Sequence, residues 1–393
     1  MGFDAVLQII APSASLKGAL GLSFCRNGEV NNFVSMATTL QNNLLDFYFS
    51  SQLPDLRWQT DEEAITVSLY CPDGSVGHIL ELTLTAVGGY VDLMEVRDAV
   101  ERKMRYLNKS QIFLQVQWKV PSARIYNISG GCNVYYCTQD IVGSCSAWIE
   151  AHFLTTIDSK PLPGNNETEF LSFVNLSTVA IKPLVSATCR LSTGAVRVVT
   201  LDDYCAAIDA NTPLIQRISW NIDDLHAAAV EAEPTVEEVL AVAISVGART
   251  MTYYKPAIPA NAAFVFKNCF GVLETAWLNC VTTTKTKDGR KMAQVARRAT
   301  LYDIDVTVTH EVETAPLPLK VASWLSQLVT SPEAWIAGKP ILVTDGETSI
   351  SDDAAVMNTV KFTWQRDDAR DDISIAAADV DIFVKPPFSH QFD

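Results

Sequence analysis

The chain has 393 residues, with 45 acidic against 30 basic side chains and a formal net charge of −15. Apolar residues make up 48% of it, which marks a folding chain rather than a disordered one, and a length of this order leads us to expect two or three domains. The acidity argues against nonspecific nucleic-acid binding, which needs clustered Lys and Arg, and no apolar run approaches the ~20 residues that insert across a bilayer.

The opening Met1-Gly2-Phe3-Asp4-Ala5-Val6 lacks the basic start and long apolar stretch of a secretion signal, so synthesis in a cytoplasm is expected. Val6 stands where a myristoylation signal would carry Ser or Thr. Strand-length apolar runs lie at 6–10, 20–24 and 44–49. Ile65, Val67 and Leu69 then alternate with polar neighbours, as do Leu80, Leu82 and Leu84, and Pro72-Asp73-Gly74 between them is tight-turn chemistry, so the pair reads as a hairpin. Asp92 with Glu95 has the spacing of a helix N-cap and its partner, and Val96, Val100, Met104 and Leu107 line one face of the helix that should follow. Ile112, Leu114, Val116 and Trp118 return to strand alternation, and Pro121 closes a first expected domain at 1–120.

A second β-rich domain is expected at 121–234. Gly130-Gly131 reads as a turn between strands at 124–126 and 134–136; further strands are expected at 147–153 and 195–199. Asn221 to Val230 reads as a short helix with Asp223 and Asp224 in its first turn, where the helix dipole favours them. In the third domain, 235–366, Thr235 and Glu238 suit a capping box, but the β-branched residues around Val246-Gly247 favour a hairpin over 235–254. Tyr302, Ile304, Val306, Val308, His310 and Val312 alternate with polar residues for about a dozen positions, the signature of a half-buried strand. Val321, Trp324, Leu325, Leu328 and Val329 form one stripe of a helix, with Pro318 at its start and Pro332 beyond its end, and 360–364 is another strand. Residues 367–393 read as an acidic C-terminal arm. The expected fold class is mainly β, a β-rich α+β chain of several antiparallel, β-sandwich-like domains with a few packed helices.

Catalytic templates find no purchase. The chain lacks Gly-x-Ser-x-Gly, a Walker loop, Gly-x-Gly-x-x-Gly and His-Glu-x-x-His, so neither a catalytic set nor a cofactor is assigned. Cys132, Cys137 and Cys145 are spaced wrongly for zinc and read as buried thiols, and His310 reads as a core histidine. Asp345-Gly346-Glu347 and Ser351-Asp352-Asp353 have the oxygen ligands of a Ca2+ site but are more simply acidic turns. The run 285–298 carries Lys285, Lys287, Arg290, Lys291, Arg297 and Arg298 against one Asp288, and it reads first as a solvated hairpin tip.

Phe264-Val265-Phe266-Lys267-Asn268-Cys269-Phe270, Glu274-Thr275-Ala276-Trp277-Leu278, Val312-Glu313-Thr314 and Val360-Lys361-Phe362-Thr363-Trp364 resemble segments of large β-rich tail proteins, of the tip or baseplate, encoded by phages and prophages of gut Bacteroidetes. The resemblance spans about a quarter of the chain and its motifs are structural. It implies a virion subunit built in the host cytoplasm, whose partners are its own copies and other virion proteins, joined by strand edges and terminal arms. An adhesin binding a cell-surface glycan is the alternative, and a glycan hydrolase a more distant one. The expected subunit contact sets Lys285, Lys287, Arg290 and Lys291 against Asp367, Asp368, Asp371 and Asp372 of the C-terminal arm.

Overall fold

In the computed structural model the described residues run from 38 to 366, without 73, 75, 165–166, 211–213, 296–297, 352 and 354–357. The strands expected at 6–10 and 20–24 and the acidic arm at 367–393 lie outside them. What is described is mainly β, with several sheets and four helices.

The first unit is a five-stranded sheet in the order Phe47–Phe49, Asn127–Tyr135, Gln111–Lys119, Ala64–Cys71, Gly77–Thr85. Its expected hairpin is present, with Cys71 paired to Gly77 and Gly74 in the left-handed region (φ +72°) that glycine tolerates. Helix α1, Val96–Tyr106, buries Val96, Val100 and Met104 in the core with Leu114 and Trp58. Its start differs from the expected cap. Asp92 belongs to the strand Tyr90–Leu93 and pairs with Arg57, while Glu95 caps the helix in a left-handed conformation (φ 59°) and donates its N–H to Asp55 Oδ1 at 3.0 Å. Gly130 and Gly131 are also not a turn. They lie within Asn127–Tyr135, which carries the first sheet's hydrogen bonding past Pro121. A Cβ on Gly131 would sit 2.8 Å from the Phe113 ring, so that pairing needs glycine there.

Of residues 147–153, expected as a strand, 147–151 belong instead to helix α2, Cys145–Ala151, begun by Ser144 accepting the Ala147 N–H and capped by His152. The second unit follows, a five-stranded sheet in the order Val196–Thr200, Leu184–Leu191, Val236–Val246, Arg249–Tyr254, Ser159–Pro161. It shares a core with the two-stranded sheet Thr168–Asn175/Leu214–Asn221, through Leu171, Phe173, Trp220, Val242 and Tyr253. The hairpin over 235–254 is present, turning at Gly247 (φ +61°). Helix α3, Ile222–Ala232, starts at Asn221, whose Oδ1 accepts the Asp224 N–H at 2.7 Å, with Asp223 and Asp224 in its first turn as expected.

The third unit is a seven-stranded sheet in the order Leu273–Leu278, Ala262–Lys267, Ala334–Ile336, Lys339–Ser349, Thr359–Arg366, Arg298–Thr314, Cys280–Val295. Helix α4, Leu319–Thr330, packs Trp324, Leu325 and Leu328 onto Phe264, Phe266 and Phe362, which is the expected helix laid across a sheet. It crosses close enough that a Cβ on Gly346 would land on Val329. Asp345-Gly346-Glu347 therefore lies in a strand under a helix rather than in an acidic turn, and Asp352 lies outside the described residues. Pro318 stands at the helix's N-cap, one position before its first turn.

Candidate functional site

The three units meet in a separate core. Phe49 and Tyr135 come from the first, Val174 from the second, Phe270 and Val272 from the third, and Ile149 from α2. Trp148 of α2 lies 4.9 Å, centroid to centroid, from Phe270, which in turn lies 5.7 Å from Phe49. Arg249 clamps α2 to this joint. Its Nε donates to the carbonyls of Ile149 (2.8 Å) and His152 (3.2 Å), and its Nη2 to those of Val174 (2.9 Å) and Ile149. Burial lowers the pKa of that guanidinium, yet the carbonyls engage most of its donors.

Beside the joint lies a buried ionic cluster that bridges the second and third units. The Lys160 ammonium, 1% exposed, lies 2.7 Å from Glu274 Oε1 and 3.1 Å from Glu169 Oε1, and both carboxylates are as deeply buried. Glu169 Oε2 accepts the Trp277 indole N–H at 2.7 Å. Glu274 Oε1 accepts the Thr155 hydroxyl at 2.5 Å, and its Oε2 accepts Asn268 Nδ2 at 2.9 Å. Burial acts to lower the Lys160 pKa, but Glu169 and Glu274 reverse it and leave it raised. For Glu169 burial dominates and raises the pKa, against Lys160 and the Trp277 donor. The cluster is therefore a cation shared by two acids, one of them biased towards its neutral form. The sequence assigned a site role to none of the three, although a signal existed for the two acids. Glu169 is in phase with Leu171 and Phe173, and Glu274 with Ala276 and Leu278, on the buried rows of their strands.

Two thiols also meet here. The Cys269 thiol donates to the Cys137 sulfur, which lowers the Cys137 pKa and, with burial, raises that of Cys269. Burial pushes Cys132 and Cys145 up to about 12, and Cys132, Cys137 and Cys145 are buried thiols, as the sequence led us to expect. A cavity of about 390 Å³ opens where α1 and α4 end, lined by Arg105, Asn108, Lys109, Tyr136, Lys267 and Gln327 among others. Its polar groups largely answer one another. Arg105 meets Glu101 and the Tyr136 hydroxyl, and Lys267 meets Glu333 at 2.9 Å and Asn108. Among the described residues no cluster of three or more His, Cys, Asp or Glu could hold a metal ion.

The basic run falls on a different feature. Cys280–Val295 and Arg298–Thr314 pair along their whole length, but among the described residues only His310 to Glu313 pair on the far side, with Lys361 to Trp364. Beyond Thr309 the ladder is, among the described residues, a two-stranded ribbon roughly 35 Å long at the usual strand rise. His310 stacks on Trp364 at 4.0 Å where the ribbon leaves the sheet, and its Nδ1 is 3.0 Å from the Thr284 hydroxyl. Lys285 pairs with Glu311 on the exposed surface, and Lys287 is exposed. The side chains of Arg290 and Lys291 lie outside the described ones, as do Asp367, Asp368, Asp371 and Asp372. Of the residues expected in the contact, the structure thus describes the side chains of Lys285 and Lys287, at the ribbon's near end.

No protein-family model matches the sequence, and no curated protein matches it. Two solved structures of the plexin A4 full extracellular region align with 82% of this chain at 10% and 11% identity, each with a TM-score of 0.20. The aligned part spans 39% and 30% of those chains. Likeness at that level carries no statement about this chain. Among the described residues no helix is long and apolar enough to cross a membrane.

Proposed function

We propose that this chain is a structural subunit of a tailed-phage particle, in the tail tip, the baseplate or a neighbouring ring, and that it acts by assembling with its own copies and with other virion proteins. The observation that carries the reading is the ribbon formed by Cys280–Val295 and Arg298–Thr314. A two-stranded ribbon is marginally stable in water by itself, so one that runs this far beyond its sheet gains from a partner along its edge or face. Charge supports a second copy as that partner: six basic residues against one acidic at 285–298 face a chain that is otherwise strongly acidic. In this reading Asp367, Asp368, Asp371 and Asp372 of a neighbouring copy supply the complement. The segments that resemble tail proteins support it from another side, because Phe264, Phe266, Trp277, Phe362 and Trp364 are core residues of the sheet that bears the ribbon.

The test is the mass in solution of the purified full chain, by light scattering and native mass spectrometry. A variant with an Asn-Gly turn replacing the residues between Thr286 and Val308 keeps the sheet and loses the ribbon. The full chain should form multimers, the trimmed variant should remain folded and monomeric, and removal of 367–393 should weaken assembly. A full chain that stays monomeric at high concentration and captures none of the products of adjacent genes would refute the reading.

A further inference from the structure

The buried cluster at Lys160 is larger than an ion pair requires. Burying a cation with two carboxylates costs desolvation that an apolar cluster of the same volume avoids, so stability alone explains it poorly. Its arrangement is that of a reaction site. The Glu274 carboxylate holds an amine and an amide, one on each oxygen: Lys160 Nζ at 2.7 Å and Asn268 Nδ2 at 2.9 Å. Asn268 is itself buried, at 4% exposure. Its carboxamide is fixed the right way round, because Oδ1 accepts the Phe270 N–H at 2.9 Å and the Val272 N–H at 3.4 Å, while Nδ2 also donates to the Leu154 carbonyl at 2.7 Å. Two backbone donors on a carbonyl oxygen are what stabilise the oxyanion of acyl transfer. Lys160 lies 5.2 Å from the centre of the Trp324 ring, and Trp277 and Tyr253 are buried too, so little water competes.

From this geometry we propose that Lys160 and Asn268 are joined by an intramolecular isopeptide bond, formed by the folded chain itself with Glu274 as the proton carrier. Glu274 takes a proton from the Lys160 ammonium. The freed Nζ swings from Glu169 to within about 3.5 Å of Asn268 Cγ and attacks it. The charge that develops on Oδ1 rests on the Phe270 and Val272 N–H groups. The Nζ–Cγ bond forms and the Cγ–Nδ2 bond breaks. Two of the ammonium's three protons pass through Glu274 to Nδ2, which leaves as ammonium. One amide replaces another, nothing is oxidised or reduced, and no outside reactant is needed. In that first step burial acts against the charged ammonium, while Glu169 and Glu274 act to keep it. The bond would tie the strand Ser159–Pro161 of the second unit to the third unit covalently.

Intact-mass measurement of the folded full chain decides the matter. The chain should weigh one ammonia, about 17 Da, less than its sequence requires, and digestion should yield one branched peptide containing Lys160 and Asn268. Lys160→Arg, Asn268→Ala and Glu274→Gln should each restore the full mass. A folded wild-type chain of unreduced mass overturns the proposal whether or not those variants fold. So does an ammonia loss that maps to a linear peptide, which would be succinimide formation at some other asparagine.

Discussion

Arg249 provides the sharpest test of how the three units are held. Replacing it with Met keeps much of the aliphatic volume and removes the donors that reach Ile149, His152 and Val174. An orphaned buried carbonyl costs about 1–3 kcal/mol, and three of them, at the lower end of that range, predict a loss of about 3 kcal/mol. Arg249→Lys should fall between, because one ammonium cannot span carbonyls that come from α2, from the residue after it and from the strand Thr168–Asn175. The loss should appear locally. Hydrogen exchange across α2, Cys145–Ala151, should speed up by roughly a hundredfold, since each 1.4 kcal/mol is a factor of ten, while exchange in α1 should change little. Unchanged protection of α2 in Arg249→Met, or full retention by Arg249→Lys, would show that the guanidinium is an incidental neighbour and not the clamp.

Two further outcomes follow from the same contacts. Gly346→Ala should destabilise the third unit by about 1–3 kcal/mol in urea unfolding, because the new methyl lands on Val329, and Val329→Ala in that background should recover most of the loss; an additive pair would place the helix elsewhere. Stability should also fall as pH rises from the ordinary glutamate range, about 4.5, through the higher folded value of Glu169. The sign follows because the folded chain keeps a proton there that the unfolded chain releases, within a cluster formed by Lys160, Glu274 and Tyr253. Glu169→Gln should flatten that part of the profile, and an unaltered slope would mean that another group sets it.

What could be read from the sequence was whatever local pattern decides. The stripe of α4 and the Pro-Asp-Gly hairpin survive because they pack on the core through the residues their own patterns mark, and the alternation across 302–313 survives as a strand, with Val312 the buried member of its apolar row among the described side chains. The errors share a different cause. Asp92 and Glu95 have capping spacing, but Arg57 occupies Asp92 and the remote Asp55 serves the helix start. Gly130-Gly131 resembles a turn until the Phe113 ring, on the neighbouring strand, takes the place of a side chain at Gly131. Residues 147–153 alternate like a strand, yet Ser144 and the bonds from Arg249 to the Ile149 and His152 carbonyls hold 147–151 as a helix. In the candidate site, charge misled the reading. Basic residues at 285–298 invite attention because they are exposed, whereas Lys160, Glu169 and Glu274 look like ordinary polar positions until strand phase puts them inside.

The ribbon and the joint are connected by a mechanical argument. A projecting ribbon contributes to assembly only in so far as its bearing is fixed before contact, because orientational freedom still present at that moment must be lost on docking. In this chain the ribbon grows from the third unit alone, and that unit meets the others through Phe270, the Lys160 cluster and the Asn268 loop. An apolar joint of the same area would hold the units together while permitting small rotations, since side chains of similar shape can repack. Directional contacts do not permit them. The Trp277 N–H reaches Glu169 and Lys160 reaches Glu274 in one relative placement of the second and third units only, and any rotation leaves buried charge unanswered. The polar joint thus gives up stability to gain a single orientation, and a subunit that must present a long ribbon to its neighbour is one in which that exchange is favourable.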